Sequence, residues 1–113
     1  MERRLTRKDM FNAKNGISFK EASEKNVSGL MTAFGTKTDS KNVDKETGEI
    51  REKTICIIVI DGQFYTGESA TVKGDLIELD EFITDEELEV GVPVRIIGSK
   101  SKSGRTFCNI ALD

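Results

Sequence analysis

The groups in this sequence best suited to acting on a ligand are six phenylalanines, one tyrosine and 17 lysines and arginines. Flat rings stack on planar partners, and cations follow phosphates. Histidine, the commonest acid–base group, is absent. The carboxylates between Asp75 and Glu89 crowd one segment with no nucleophile paired to them. No glycine-rich phosphate cradle precedes a helix, so no enzyme is expected and no catalytic residue is assigned. Cys56 and Cys108 sit in the apolar runs Ile55-Cys56-Ile57 and Phe107-Cys108-Asn109-Ile110. They read as buried thiols packing as small hydrophobes. Two thiols without histidine make no zinc site, so no metal and no other cofactor is expected.

Net charge is −3, which at first argues against a polyanionic partner. The distribution says more than the sum. Residues 1–20 carry six basic and two acidic groups, and residues 93–113 carry four and one. Residues 61–92 carry one basic and ten acidic groups. A chain with this polarity can hold a phosphate backbone on one face and repel it from another. No apolar run approaches the roughly 18 residues of a membrane span. The basic start, Met1 to Thr6, has no apolar stretch behind it, so no secretory signal is expected and a cytoplasmic location is.

The elements that must position these groups are short. At 113 residues the chain is expected to form one domain, residues 27–113, preceded by a basic arm or short hairpin over residues 1–26 with a turn at Asn15-Gly16. Val27 to Lys37 reads as a strand in which Gly29 marks a bulge or bend. Thr38 to Glu52 is polar and charge-mixed, a long loop or the tip of a long hairpin. Lys53 to Ile60 is β-branched almost throughout, so both faces of that strand are expected to be covered. Asp61-Gly62 then signals a tight hairpin into a return strand, Gln63 to Ser69. Val72, Leu76, Leu79, Phe82 and Ile83 have helical spacing, and a second turn opens with Thr84 as N-cap and Glu87 at the capping-box position. Val94 to Gly98 and Thr106 to Leu112 are further strands, joined by a basic turn, Ser99 to Arg105.

Five strands with one helix between the third and fourth is the order of the five-stranded Greek-key OB barrel, an all-β fold with one helix. In that fold the loops between strands 1 and 2 and between strands 4 and 5 flank the ligand groove. Here these are Thr38 to Glu52 and Ser99 to Arg105. Strand alternation puts Cys108, Ile110 and Leu112 on the core face of the last strand and Phe107 outside. Phe64 and Tyr65 must point opposite ways. The phenol favours a wet edge, so Tyr65 is assigned to the groove and Phe64 to the core. Alternation groups Phe34 with Leu30 and Thr32 but leaves its direction open.

Several stretches resemble the replication single-stranded DNA-binding proteins of small phages that prime DNA synthesis with a terminal protein. They are Phe11-Asn12-Ala13, Ser18-Phe19-Lys20, Asp61-Gly62 with Tyr65 after it, Ser69 to Val72, and Ser101-Lys102-Ser103-Gly104 followed by Phe107. The likeness keeps its order over most of the chain. The stretch Thr38 to Glu52 departs from it by its length and charge. The resemblance implies an OB fold, coating of displaced strands, no catalysis, and a place in the host cell cytoplasm. It also puts aromatic residues at Phe34 and Tyr65, which makes both expected stacking platforms beside Phe107. Lys37, Arg51, Lys53, Lys100, Lys102 and Arg105 are the expected phosphate contacts. Single-stranded DNA is the expected partner, with replication proteins and weak self-association or cooperative assembly as further ones. Membrane is not.

Each assignment has a plain competitor. Phe34 serves equally as a core residue, Phe107 as a cap on the barrel end, and the Lys100 to Arg105 turn as a soluble hairpin. The rival function is a small interaction module acting through its acidic helix, with Asp80, Glu81 and Glu86 as the sensitive positions.

Overall fold

The computed structural model describes residues 2–43, 46–48, 50–100, 102–104 and 106–113, with residues 39–43, 50–52, 100 and 106 given in their backbone alone. The strongest apolar run becomes the strand at the centre of the sheet. β4 (Ile50–Ile60) pairs antiparallel with β3 (Ser28–Val43) on one side and with β5 (Gln63–Gly67) on the other. The β4–β5 turn is the expected two-residue one, with φ of 50° at Asp61 and 78° at Gly62. Positive φ at both central positions matches the twist of the flanking strands. β3 passes on to β6 (Val92–Lys100), and β6 to β7 (Thr106–Leu112). Numbering these five strands in chain order, the fourth lies beside the first and the sequence runs 4-1-2-3 in space, a Greek key.

Among the described residues the sheet has seven strands, not five. The other two are β1 (Glu2–Arg3), antiparallel to β3, and β2 (Ile17–Ser18), parallel to β5. β5 and β7 are not paired with each other, so the sheet curls into a half-barrel. Residues 2–26 therefore differ from the expected arm or hairpin. They contribute these two strands, a helix α1 (Arg7–Asn12), a 3₁₀ turn (Ala13–Asn15) and a helix α2 (Phe19–Glu24). Phe19 and Ala22 of α2 join the main core. The reason is burial: these apolar points are too sparse to read as elements in sequence, yet each finds a sheet surface to cover.

The expected single helix is two. α3 (Ala70–Phe82) starts at Ser69, whose Oγ accepts from the Val72 amide, and ends where Ile83 turns extended. α4 (Asp85–Val90) begins with the capping box foreseen at Thr84 and Glu87. No helix among the described residues is long and apolar enough to cross a membrane.

The core has two sides. On the inner side, Phe34, Met31, Ile58, Ile60, Val72 and Leu76 are packed together. On the outer side, Leu5, Met10 and Ala13 of the N-terminal segment cover Ala33 and Ile57. This is why β4 is apolar at every position from Ile55 to Ile60. Cys56 and Cys108 are buried free thiols, and burial pushes the Cys56 thiol above its ordinary pKa.

Candidate nucleic-acid interface

Three clefts meet at the end of β5. The first, about 410 Å³, lies on the outer face of the sheet and is lined by Lys14, Lys37, Lys53, Ile55, Thr66 and Glu68. Strand geometry places these groups. Lys37 is directly opposite Ile55 across the β3–β4 ladder, and Lys53 follows two residues before Ile55 on the same face. The second cleft holds Lys53, Glu68, Ser69 and Lys73. The third, about 700 Å³, fills the opening between β5 and β7, with Ser18, Lys20, Thr66, Glu68 and Phe107 among its lining residues. Glu68 belongs to all three and Thr66 to two, so they form one continuous groove.

The groove is basic. Lys14, Lys20, Lys37, Lys53 and Lys73 line it, against Glu68 as its carboxylate. Lys53 Nζ lies 3.9 Å from Glu68 Oε1, a loose and half-exposed pair that holds little energy against a competing phosphate. Two rings flank it. Phe107 is half-buried in the wall between β5 and β7. Phe11 on α1 is 65 % exposed, and the Lys14 ammonium sits 3.9 Å from its ring centre. A ring beside a cation is the pair that holds an unpaired base and its phosphate.

Of the residues expected to contact a strand, Lys37, Lys53 and Phe107 line the groove. Phe34 and Tyr65 do not. Phe34 is 0 % exposed and Tyr65 7 %. Neither offers a ring face to solvent, which corrects their assignment as stacking platforms. For Phe34 the cause is a bulge: the β3–β4 register shifts between Met31 and Ala33. An extra residue breaks the alternation, so Met31 and Phe34, three apart, both point inward. For Tyr65 the cause is cross-strand pairing. The Asp61-Gly62 turn sets Ile58 opposite Tyr65 and Val59 opposite Phe64. Ile58 faces the inner core, so Tyr65 does too, while Phe64 packs on the outer side. Burial raises the Tyr65 phenol above its ordinary pKa, the Asp61 carboxylate adds to this, and Lys25 opposes it.

Lys102 is exposed in the β6–β7 turn and lines none of the three clefts. Arg51 and Lys100 are described in backbone only, in β4 and at the end of β6, and Arg105 lies outside the described residues. Sequence reasoning missed Lys14, Lys20, Lys73 and Phe11. The excess of positive charge over residues 1–20 was the available signal for the first two.

Arg3 is basic but belongs to the scaffold. Its guanidinium donates to Asp80 Oδ1 at 2.7 Å, to Asp85 Oδ1 at 2.9 Å, and to the Asp80 and Ile83 carbonyls at 2.9 and 2.8 Å. Its pKa is raised by the bonds to Asp80 and then to Asp85. It therefore ties β1 to the α3–α4 junction and is turned away from any external phosphate.

Searches among curated proteins and among solved structures gave no match. A family profile described as phage single-stranded DNA-binding protein matches residues 2–113, which spans the half-barrel, the N-terminal segment and every residue of the groove. By that match the chain belongs to the Phi29 family of phage single-stranded DNA-binding proteins.

Proposed function

We propose that this protein binds single-stranded DNA without sequence preference and coats displaced strands during phage-type replication, using an open OB-type barrel. The observation that carries this reading is the convergence of five lysines on the one groove around Thr66 and Glu68. The family supports it independently. In this reading phosphates run past Lys14, Lys37, Lys53 and Lys20, and bases rest on Phe107 and Phe11. Arg51, Lys100, Lys102 and Arg105 stay candidate phosphate contacts by their charge alone. Phe34 and Tyr65 shape the barrel wall from within.

Among the described residues the charged donors of the groove are lysine ammonium groups, joined by the hydroxyls of Ser18, Thr66, Ser69 and Thr71. Such a surface reads backbone and ring faces, which every sequence offers. With about five lysine contacts, log K against log salt should fall with a slope of roughly −3.5 on a single strand. The test is a fluorescence titration with oligothymidylate at two salt concentrations, on the native protein and on Lys37→Ala/Lys53→Ala. The double variant should lose binding and flatten the slope by about 1.4. An unchanged slope would move the interface elsewhere, and no binding at low salt would end the reading.

A further inference from the structure

Among the described residues one carboxylate lines the three clefts, that of Glu68, and it belongs to all of them. The chain holds it there from both sides. The Phe19 ring packs against Gly67, 3.2 Å from where a Cβ would stand, and Ser69 caps α3 by accepting from the Val72 amide at 3.2 Å. The Glu68 side chain is 53 % exposed, and Lys53 Nζ at 3.9 Å is beyond hydrogen-bond reach. A phosphate that takes Lys53 therefore takes the ion-pair partner of this carboxylate.

A negative group inside a phosphate-binding groove weakens binding unless the ligand also brings it a donor. Within a DNA strand the phosphates and sugar oxygens only accept, so the donors are on base edges. Cytosine, adenine and guanine carry an exocyclic amine, and carboxylates accept from such amines, as Glu and Asp do from cytosine N4. Thymine and uracil carry none. Their ring N–H lies between two carbonyl oxygens, which repel a carboxylate. The third cleft, about 700 Å³, is lined by both Glu68 and Phe107, so a base stacked on Phe107 lies in the space that Glu68 also borders.

We infer that Glu68 is a specificity residue, whose carboxylate accepts a hydrogen bond from the exocyclic amine of a base resting on Phe107. The inference rests on the single-strand reading and refines it. The lysines take any sequence, and Glu68 grades strands by base composition, holding amine-bearing bases more tightly than thymine or uracil.

The experiment measures fluorescence anisotropy of end-labelled oligodeoxycytidylate and oligodeoxyuridylate, each just long enough for one copy, at mildly alkaline pH where cytosine is neutral. The two strands have equal charge and differ only at the 4-position and the N3 proton. The readout is the ratio of the two affinities, compared between native protein and variants so that each strand's own stacking cancels. Glu68→Ala should tighten oligodeoxyuridylate, by removing a repulsive charge, and lower the ratio in favour of cytidylate by about fivefold, the scale of one solvent-reachable hydrogen bond to a charged acceptor. Glu68→Gln removes the charge but keeps an acceptor oxygen, so its ratio should fall between the two. Lys53→Ala should weaken both strands and leave the ratio within about twofold. A ratio unchanged in both Glu68 variants, even with both strands bound more tightly, makes Glu68 a repulsive charge alone and overturns the proposal. A ratio lost equally in Lys53→Ala places the preference in the phosphate contact and overturns it too. Failure of the native protein to bind either strand at low salt overturns the single-strand reading itself.

Discussion

Phe34 and Phe107 show how one residue type is divided between two tasks. Phe34 fills the inner core completely, and Phe107 stands half-buried in the groove wall. Phe34→Ala should cost about 3–5 kcal/mol in urea unfolding, from lost burial and the cavity left behind. Phe107→Ala should leave most of the stability and weaken oligothymidylate binding by the roughly 1–3 kcal/mol of one stacked base. Equal losses of stability in the two variants would make Phe107 a core residue. Tyr65 supplies a second check, since it is the one tyrosine in the chain. Its phenol is held above the ordinary value of about 10, first by burial and then by Asp61. The neutral form is therefore the one the fold favours. Its contribution is full below pH about 10 and is lost as pH rises through the raised value. A spectrophotometric titration of the folded protein should show a midpoint above that of free tyrosine, and a midpoint at or below it would mean an exposed ring.

At the scale of elements, a two-residue strand does little alone, and β1 persists because of what Arg3 does at its end. The guanidinium meets the carbonyls of Asp80 and Ile83, where α3 ends and backbone carbonyls lack partners, and adds two carboxylates. Arg3→Ala should lower unfolding free energy by about 2 kcal/mol, the scale of charged hydrogen bonds in a partly covered site. Single-copy DNA binding should survive. Unchanged stability with lost binding would instead make Arg3 a DNA contact. The hairpin between β4 and β5 shows a comparable economy. Asp61 donates its amide to the Leu30 carbonyl and accepts from the Leu30 amide at its Oδ1, both at 3.0 Å. A Cβ on Gly29 would fall within 2.2 Å of the Asp61 carboxylate, so only glycine leaves room for this link. The glycine was legible as a special position, but its reason was not. The group that crowds it comes from 32 residues further along the chain.

For the molecule as a whole, the balance of charge has a thermodynamic consequence. A strand bound only by the native groove stabilises the fold by mass action, by about 2.7 kcal/mol at a free concentration one hundred times Kd. Thermal unfolding with and without oligothymidylate should show the rise, and added salt should remove it, because the lysine contacts are screened and their counterions return. A rise indifferent to salt would point to an apolar site.

Much of the fold could be read from local rules. The Asp61-Gly62 turn, the doubly covered β4, the cap at Thr84 with Glu87 and the buried thiols all follow from a few neighbouring residues. The order of the five long strands was legible for the same reason, since tight turns and short connections restrict which strands can be neighbours. The direction of each ring was not. It depends on a bulge in β3 and on which apolar face of β4 becomes interior, and β4 is apolar on both faces. The same limit applies to the cations: Lys73 lies more than fifty residues along the chain from Lys14 and Lys20, and they come to one groove only where β5 ends. Composition and turn chemistry determined that there would be a curved sheet with basic and acidic sides. Only long-range packing decided which side chains the groove would present, because burial is settled by the partner across the sheet and not by the neighbour in sequence.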